Sequence, residues 1–301
     1  MRAVFERYRE IIPDFSSFQE SLRQSLPVHL RVNRLKVEPQ HLEESLKAKG
    51  VHLQRVSNKY DTLFLASDLK RPGKLLEYFL GYFHTQALTS CLACEALCPR
   101  PGSYLLDMCA SPGGKTSHLA QLMENTGLII ANEPYANRHV ILSHTLSRMG
   151  IANTVATGYR AEVFPLKQRF DYILADVPCS GEGTFRMTSQ RSKYIERQGK
   201  ARLPELQKRI LLRAFDLLKE NGQLIYSTCT YNPDENESVV DFLLRNRNAE
   251  LLSVDPDIQH EPGLPEWGKV AYDREIHRAA RFYPHQSNSV GFFMARIGRR
   301  G

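Results

Sequence analysis

The stretch YLLDMCASPGGKTSHLAQLM, residues 104–123, runs from a short apolar segment through a turn with paired glycines into a helix-period segment. A strand that ends on Asp107, turns at Gly113 and Gly114 and enters a helix near Lys115 points free helix N–H groups back over the strand end. The same alternation continues downstream. GLIIANE (127–133), NTVAT (153–157), FDYILADV (170–177) and GQLIYSTC (222–229) read as buried strands. NRHVILSHTLSRMG (137–150), LPELQKRILLRAFDLLKENG (203–222) and DENESVVDFLLRN (234–246) repeat at helix spacing between them. Strands alternating with helices predict a parallel sheet covered on both faces. The tail departs from the pattern: AELLSVD (249–255) and SVGFFMARI (289–297) are two strands with no convincing helix between them, so an antiparallel edge pair is expected.

Residues 1–75 form a different unit. A helix-like start is followed by a strand in VHLRVNRLKV (28–37), a helix in PQHLEESLKAKG (39–50) and a strand in VHLQRV (51–56). Two domains are expected, 1–80 and 81–301. The front 75 residues hold 14 Lys and Arg against 9 Asp and Glu, and FRMTSQRSKYIERQGKAR (185–202) holds six Lys and Arg against one Glu. With a net charge of +7, these clusters make a polyanion the expected partner, although a solvated helix face accounts equally for the second. The charged start resembles no signal peptide, and no long apolar run is present, so a cytoplasmic chain with no membrane contact is expected. The six cysteines are then expected to be reduced.

Ligands of an open parallel sheet bind beyond the carboxyl ends of its strands. The loop after residue 107 lacks the glycine of a nucleoside triphosphate loop, because Cys109 stands there, and it lacks the spaced glycines of a dinucleotide site. Glu133, at the next strand end, is placed to accept ribose hydroxyls, or else simply caps the following helix. The glycine turn and that acid together favour an adenosine-containing cofactor without a pyrophosphate. Two further strands end in ADVPCSGEG (175–183) and YSTCTYNPDENE (226–237), each placing a thiol in a polar turn. A cysteine alone is more often core filler, but filler belongs inside a strand rather than at its mouth.

DMCASPGGKT, DVPCSGEG, YSTCTYNPDENE and RFYPHQSNSVGFF, in that order, resemble the successive motifs of the RNA 5-methylcytosine methyltransferases of the Nol1/Nop2/Sun family, over roughly residues 82–297. HLRVNRLKV is similar to the segment that precedes the catalytic domain in that family. The resemblance implies a Rossmann-like class I S-adenosylmethionine-dependent methyltransferase. Its fold would be a mostly parallel seven-stranded α/β sheet with an antiparallel edge hairpin, behind a small N-terminal α+β domain like an incomplete RNA-recognition fold. The implied substrate is a cytosine in structured RNA, tRNA or rRNA. The chain is expected to be a monomer without a metal.

C5 of cytosine is too electron-poor to attack a methyl sulfonium until a nucleophile adds to C6, which is why a thiolate is wanted. Spacing does not say which thiol attacks; a Pro-Cys attack, as in DNA cytosine methyltransferases, would favour Cys179. The resemblance assigns Cys229 as nucleophile and Cys179 to product release. Asp176 would hydrogen-bond N3 of the base, and Lys115 would touch the cytosine. Cofactor binding falls on Cys109, Ala110, Ser111, Pro112, Gly113, Gly114, Lys115, Glu133 and Asp176. One departure stands out: where the family carries an Asp near the adenine amino group, this chain has Arg160, which cannot accept that bond. Recognition is then expected to shift to backbone groups. A competing reading is an RNA-binding assembly factor or chaperone with vestigial activity. A DNA methyltransferase is disfavoured because residues 255–288 are short for a target-recognition insertion.

Three lesser features complete the reading. Cys91, Cys94 and Cys98 in CLACEALC are expected to pack on one helix face rather than bind metal. His285 is expected to order a loop, although a catalytic base is the other reading. Gln86 and Ser90 resemble a family segment near the cofactor.

Overall fold

The computed structural model describes residues 5–165, 168–186 and 202–300. Its first part comprises α1 (Phe15–Ser21), β1 (His29–Val32), α2 (Pro39–Lys47), β2 (Gln54–Arg55), β3 (Leu63–Leu65), the short α3 (Leu76–Phe79) and β4 (Phe83–Thr85). The strands form a four-stranded antiparallel sheet in the order β2-β3-β1-β4. Helix α2 opens on Pro39, where the missing N–H costs no hydrogen bond. Its Leu42 and Leu46 are buried with Leu30, Val32, Phe64 and Phe83. The strand expected over 51–56 shrinks to Gln54–Arg55, and β3 and β4 had no sequence signal, since three residues carry too little alternation to read. The small sheet continues through β4, beyond residue 80.

The second part comprises α4 (Leu88–Leu97), β5 (Tyr104–Asp107), α5 (Gly114–Leu122), β6 (Leu128–Asn132), α6 (Ala136–Met149), β7 (Thr154–Thr157), β8 (Phe170–Asp176), α7 (Leu203–Asp216), β9 (Leu218–Thr228), α8 (Glu237–Asn246) and β10 (Ala249–Leu252). After these come β11 (Glu261–Pro262), the hairpin β12 (Glu266–Trp267) and β13 (Val270–Ala271), β14 (Ala280–Phe282), α9 (Pro284–Ser287) and β15 (Phe292–Arg299). Strands β7, β6, β5, β8 and β9 are parallel neighbours in that order. Strand β15 runs antiparallel to β9, and both β10 and β14 pair antiparallel with β15. The expected pairing of the tail strands is thus β10 with β15. Among the described residues the sheet has nine strands rather than seven, because the segment 255–288 contributes β11 and β14 to the antiparallel edge.

Alternation along each central strand divides the core in two. Leu106, Ile173 and Leu224 face α7 and α8, where Ile210, Phe215 and Leu243 bury against them. Their neighbours Leu105, Leu174 and Ile225 face α4 and α5, against Leu92, Leu97 and Leu119. Cys91 and Cys94 belong to this second core, whereas Cys98 is exposed as the left-handed C-cap of α4, so two of the three cysteines pack as expected and the third does not. Among the described residues no helix is long and apolar enough to cross a membrane, and no group of three His, Cys, Asp or Glu is placed to hold a metal.

Polar contacts join the two sheets. Arg31 of β1 is fully buried; it donates to Ser117 Oγ at 2.8 Å and to Gln121 on α5. Asn33 donates to Gly81 O and Met149 O at 2.9 and 2.8 Å. The segment 5–22 goes elsewhere. Phe5, Tyr8, Ile12, Phe15, Phe18 and Leu22 cluster with Phe185, Tyr231 and Tyr283 of the second part, not with the small sheet.

Candidate active site

Strand order reverses at β5: β6 and β7 lie on one side of it, β8 and β9 on the other. Such a switch point opens a crevice at the carboxyl ends of the strands. Gly113, the residue before α5, has φ +99°, and a Cβ there would stand 3.1 Å from the side chains of Leu142 and Thr145. The turn therefore selects glycine by conformation, and a Cβ would also press on Leu142 and Thr145.

A cavity of about 140 Å³ lies at this turn, walled by the loop Cys109–Pro112, Gly114 and Lys115, with Asp176 from β8, Gln86 between β4 and α4, and Ser90 from the first turn of α4. A larger crevice of about 600 Å³ adjoins it through Cys109 and is lined by Glu133, Arg138, Arg160, Glu162 and Leu206 among others. All the expected loop residues except Gly113 line the first space, and Glu133 lines the second. Several lining residues escaped the sequence reading, Asp107 and Glu162 among them. Asp107, the last residue of β5, lines the smaller cavity, and its position at the strand end was the available signal. It is 1% exposed, accepts from Thr116 Oγ1 at 2.7 Å through Oδ2, and leaves Oδ1 without a partner. Burial pushes its carboxyl up to about 6. Glu162 also escaped notice. Its side chain is 8% exposed and accepts from Arg160 Nε at 2.9 Å, while Arg160 itself lies largely in solvent.

Asp176 and Thr228 end neighbouring parallel strands, so the turns that follow them are side by side. Cys179 Sγ and Cys229 Sγ are 3.2 Å apart, and the Cys229 backbone N–H donates to Cys179 Sγ at 3.3 Å. The hydrogen bond between the two thiols holds Cys229 below its ordinary value and raises Cys179 above its own. Asp176 accepts from Lys115 Nζ at 2.7 Å and from Ser227 Oγ at 2.8 Å, so both its oxygens are engaged. Burial alone would depress the Lys115 ammonium, but Asp176 outweighs it and the pKa is raised. The structure thus pairs Cys229 with Cys179 in the turns after β9 and β8, and pairs Lys115 with Asp176 at the cavity beside the glycine turn, the two pairs being joined through Ser227; neither thiol is among the residues that line the two spaces described above.

Cross-ties keep the two thiol turns in register. Glu235 accepts from Ser180 N at 2.9 Å and from Gln207 Nε2 at 3.0 Å. Ser180 Oγ and Thr230 Oγ1 are 2.8 Å apart, and Thr228 donates to Asn236 at 2.6 Å. Gly183 N donates to Cys229 O at 2.9 Å, and a Cβ on Gly183 would meet Gly291 O at 2.2 Å. His285 sits 6.0 Å from the rings of Phe18 and Tyr283 in the aromatic cluster, where burial lowers its pKa. Most of the basic run 185–202 falls on 187–201, outside the described residues.

Residues 94–298 match the family described as 16S rRNA methyltransferase RsmB/F. The chain belongs to this family. The family membership bears out the resemblance read from the four motifs. A relative from Pyrococcus abyssi (strain GE5 / Orsay), a tRNA (cytosine(49)-C(5))-methyltransferase, is 33% identical over 298 residues, covering 98% of this chain and 95% of that protein. The human 28S rRNA (cytosine(4447)-C(5))-methyltransferase is 35% identical over 292 residues, 95% of this chain. The chain spans only 36% of the human protein's length and 45% of a Caenorhabditis elegans 26S rRNA relative's. The crystal structure of a methyltransferase homolog from Pyrococcus horikoshii superposes with a TM-score of 0.86 at 34% identity, covering 100% of this chain and 95% of that one.

Proposed function

We propose that this chain methylates C5 of a cytosine in structured RNA, using S-adenosylmethionine and a transient bond between Cys229 and C6 of the base. The observation that carries the reading is the pair of thiols 3.2 Å apart, with the Lys115–Asp176 ion pair tied through Ser227 to the strand ends from which both thiol turns spring.

The residues present fit the cofactor. Asp107 Oδ1 and both amide atoms of Gln86 are buried without partners where they line the smaller cavity, which suits the ammonium and carboxylate of an amino-acid end. Cys109–Lys115 would surround that end and Glu133 would hold the ribose. Glu162, two residues beyond Arg160, is the acceptor available to the adenine amino group, so a side chain rather than backbone groups would carry adenine recognition. When bound, S-adenosylmethionine supplies an electrophilic methyl group on a sulfonium.

The chain's own residues supply the rest. The Cys229 thiolate adds to C6, which makes C5 nucleophilic. Negative charge that builds on the ring toward N3 is met by the Lys115–Asp176 pair; with both Asp176 oxygens already accepting, Lys115 is the donor in that pair. After transfer a water molecule takes the C5 proton, the C5–H electron pair re-forms the C5–C6 double bond, and the C6–S pair leaves with Cys229 as its thiolate. The S–H of Cys179 stabilises the departing thiolate, which places Cys179 in product release.

The target base has to leave its stack to reach either thiol, so an unpaired or splayed cytosine is the substrate form. The small antiparallel unit and the basic run would hold flanking phosphates, with binding that weakens steeply as salt rises. The test is incubation with methyl-labelled S-adenosylmethionine and total RNA, digestion to nucleosides, and chromatography. Label in 5-methylcytidine supports the reading; intact RNA binding with no label anywhere overturns it in favour of an RNA-binding assembly factor.

A further inference from the structure

Glu182 lies in the Cys179 turn, and its side chain is fully buried. A carboxylate taken out of water costs several kcal/mol unless charge and hydrogen bonds replace the lost hydration. Among the described residues, partners from two segments supply them. Tyr8 Oη donates to Oε2 at 2.6 Å, Arg7 Nη2 donates to Oε1 at 2.9 Å, and Thr230 Oγ1, from the Cys229 turn, donates to Oε2 at 3.3 Å. Thr230 in turn bonds Ser180, so a chain of contacts runs from Tyr8 and Arg7 through Glu182 to the residues adjacent to both thiols. Ring contacts follow the same path. Phe5 lies tilted 5.4 Å from Phe185 and edge-on 5.9 Å from Tyr231, and Phe18 meets Tyr231 edge-on at 5.3 Å. Phe185 follows the Cys179 turn and Tyr231 follows Cys229 by two residues.

We infer that residues 5–22 form a strap across the two thiol turns, and that Glu182 is a positioning residue through which Arg7 and Tyr8 hold Cys179 within hydrogen-bonding reach of Cys229. The inference rests on the proposed use of both thiols for its functional meaning, but not for its test. A thiolate stabilised by a neighbouring S–H depends on a contact that a few tenths of an ångström would weaken. Binding the N-terminal segment to the domain by apolar contacts alone would not need a buried charge at this place; the aromatic cluster already provides them.

The experiment measures the rate of alkylation of Cys229 by iodoacetamide against pH, resolved by mass spectrometry from the other cysteines, in wild type, Tyr8→Phe, Arg7→Met and Glu182→Gln. Thermal unfolding is run on each. Arg7 is 44% exposed at its side chain, so its replacement tests the strap even where a change at Glu182 prevents folding. The expected result is an alkylation midpoint raised by about half to one pH unit in folded variants, a roughly three- to tenfold slower reaction near neutrality. A midpoint unchanged from wild type, with only the unfolding temperature lowered, overturns the inference and leaves the strap as packing. Failure of the wild type to methylate any RNA would count against the proposed function, and the alkylation result would stand apart from it.

Discussion

Cys179 Sγ lies 3.2 Å from Cys229 Sγ, although fifty positions of sequence separate the two residues. The contact exists because β8 and β9 are parallel neighbours in register from Tyr172 opposite Gln223 to Asp176 opposite Ser227, so the turns after them open at the same height. Division of labour between the thiols gives the first prediction. Cys179→Ala should accumulate an enzyme–RNA adduct that survives denaturing gel electrophoresis, and Cys229→Ala should yield none. The opposite pattern would exchange the two roles.

Lys115 is placed to neutralise charge on the base and to hold Asp176. Lys115→Met removes the cation and leaves the Asp176 carboxylate with Ser227 as its remaining hydrogen-bond partner. Turnover on RNA should fall by about two to three orders of magnitude, the range for losing one preorganised donor to a developing anion. Single-turnover kinetics at saturating RNA check this, and a loss below tenfold would remove Lys115 from the chemistry.

Asp107 connects the site to stability. Its carboxyl is raised from 3.8 to about 6 by burial, so the folded state holds this proton more tightly than the unfolded chain does. The group therefore destabilises the cofactor-free protein fully above pH 6, and the penalty fades as pH falls from 6 toward 4. Asp107→Asn should raise cofactor-free stability at pH 7 by up to about 3 kcal/mol at 1.36 kcal/mol per pKa unit, with the gain vanishing near pH 4. Urea unfolding at the two pH values measures it; a variant less stable than wild type at pH 7 would refute the account. The same variant should bind S-adenosylmethionine more weakly.

Glu162 makes a prediction about cofactor selection. With Glu162 intact, calorimetry should show S-adenosylhomocysteine binding about ten- to a hundredfold more tightly than its inosine counterpart, which presents an oxygen in place of the amino group; a hydrogen bond to a charged group is worth about 1.5–3 kcal/mol. Glu162→Ala should erase most of that preference. Arg160→Ala should leave it largely in place, because Arg160 meets Glu162 from the solvent side. Preference retained in Glu162→Ala would return adenine recognition to the backbone.

How much of this was legible beforehand depends on range. The alternation of apolar runs and helix-period segments specifies the parallel strands β5 to β9 and their covering helices, because side-chain periodicity is local and strong there. The turns at the strand ends were equally readable: glycines, a proline and thiols have little reason to stand together in a core. Asp107 was readable in principle, as a strand-end acid, yet nothing in the chain said that one of its oxygens would be left without a partner.

What the sequence by itself determined is therefore the order of elements and the position of each candidate group at the mouth of its own strand. Tertiary structure alone decided which groups meet. The three-residue strands β3 and β4 exist only because β1 offers them edges to pair with. Arg31 reads as one more surface cation of a basic front unit, but the docking of β1 on α5 buries it. The helix-like start reads as part of that unit, yet its aromatic face found a larger apolar partner in Phe185, Tyr231 and Tyr283. Periodicity tells which face of an element is apolar; only packing of the whole chain selects the surface that covers it.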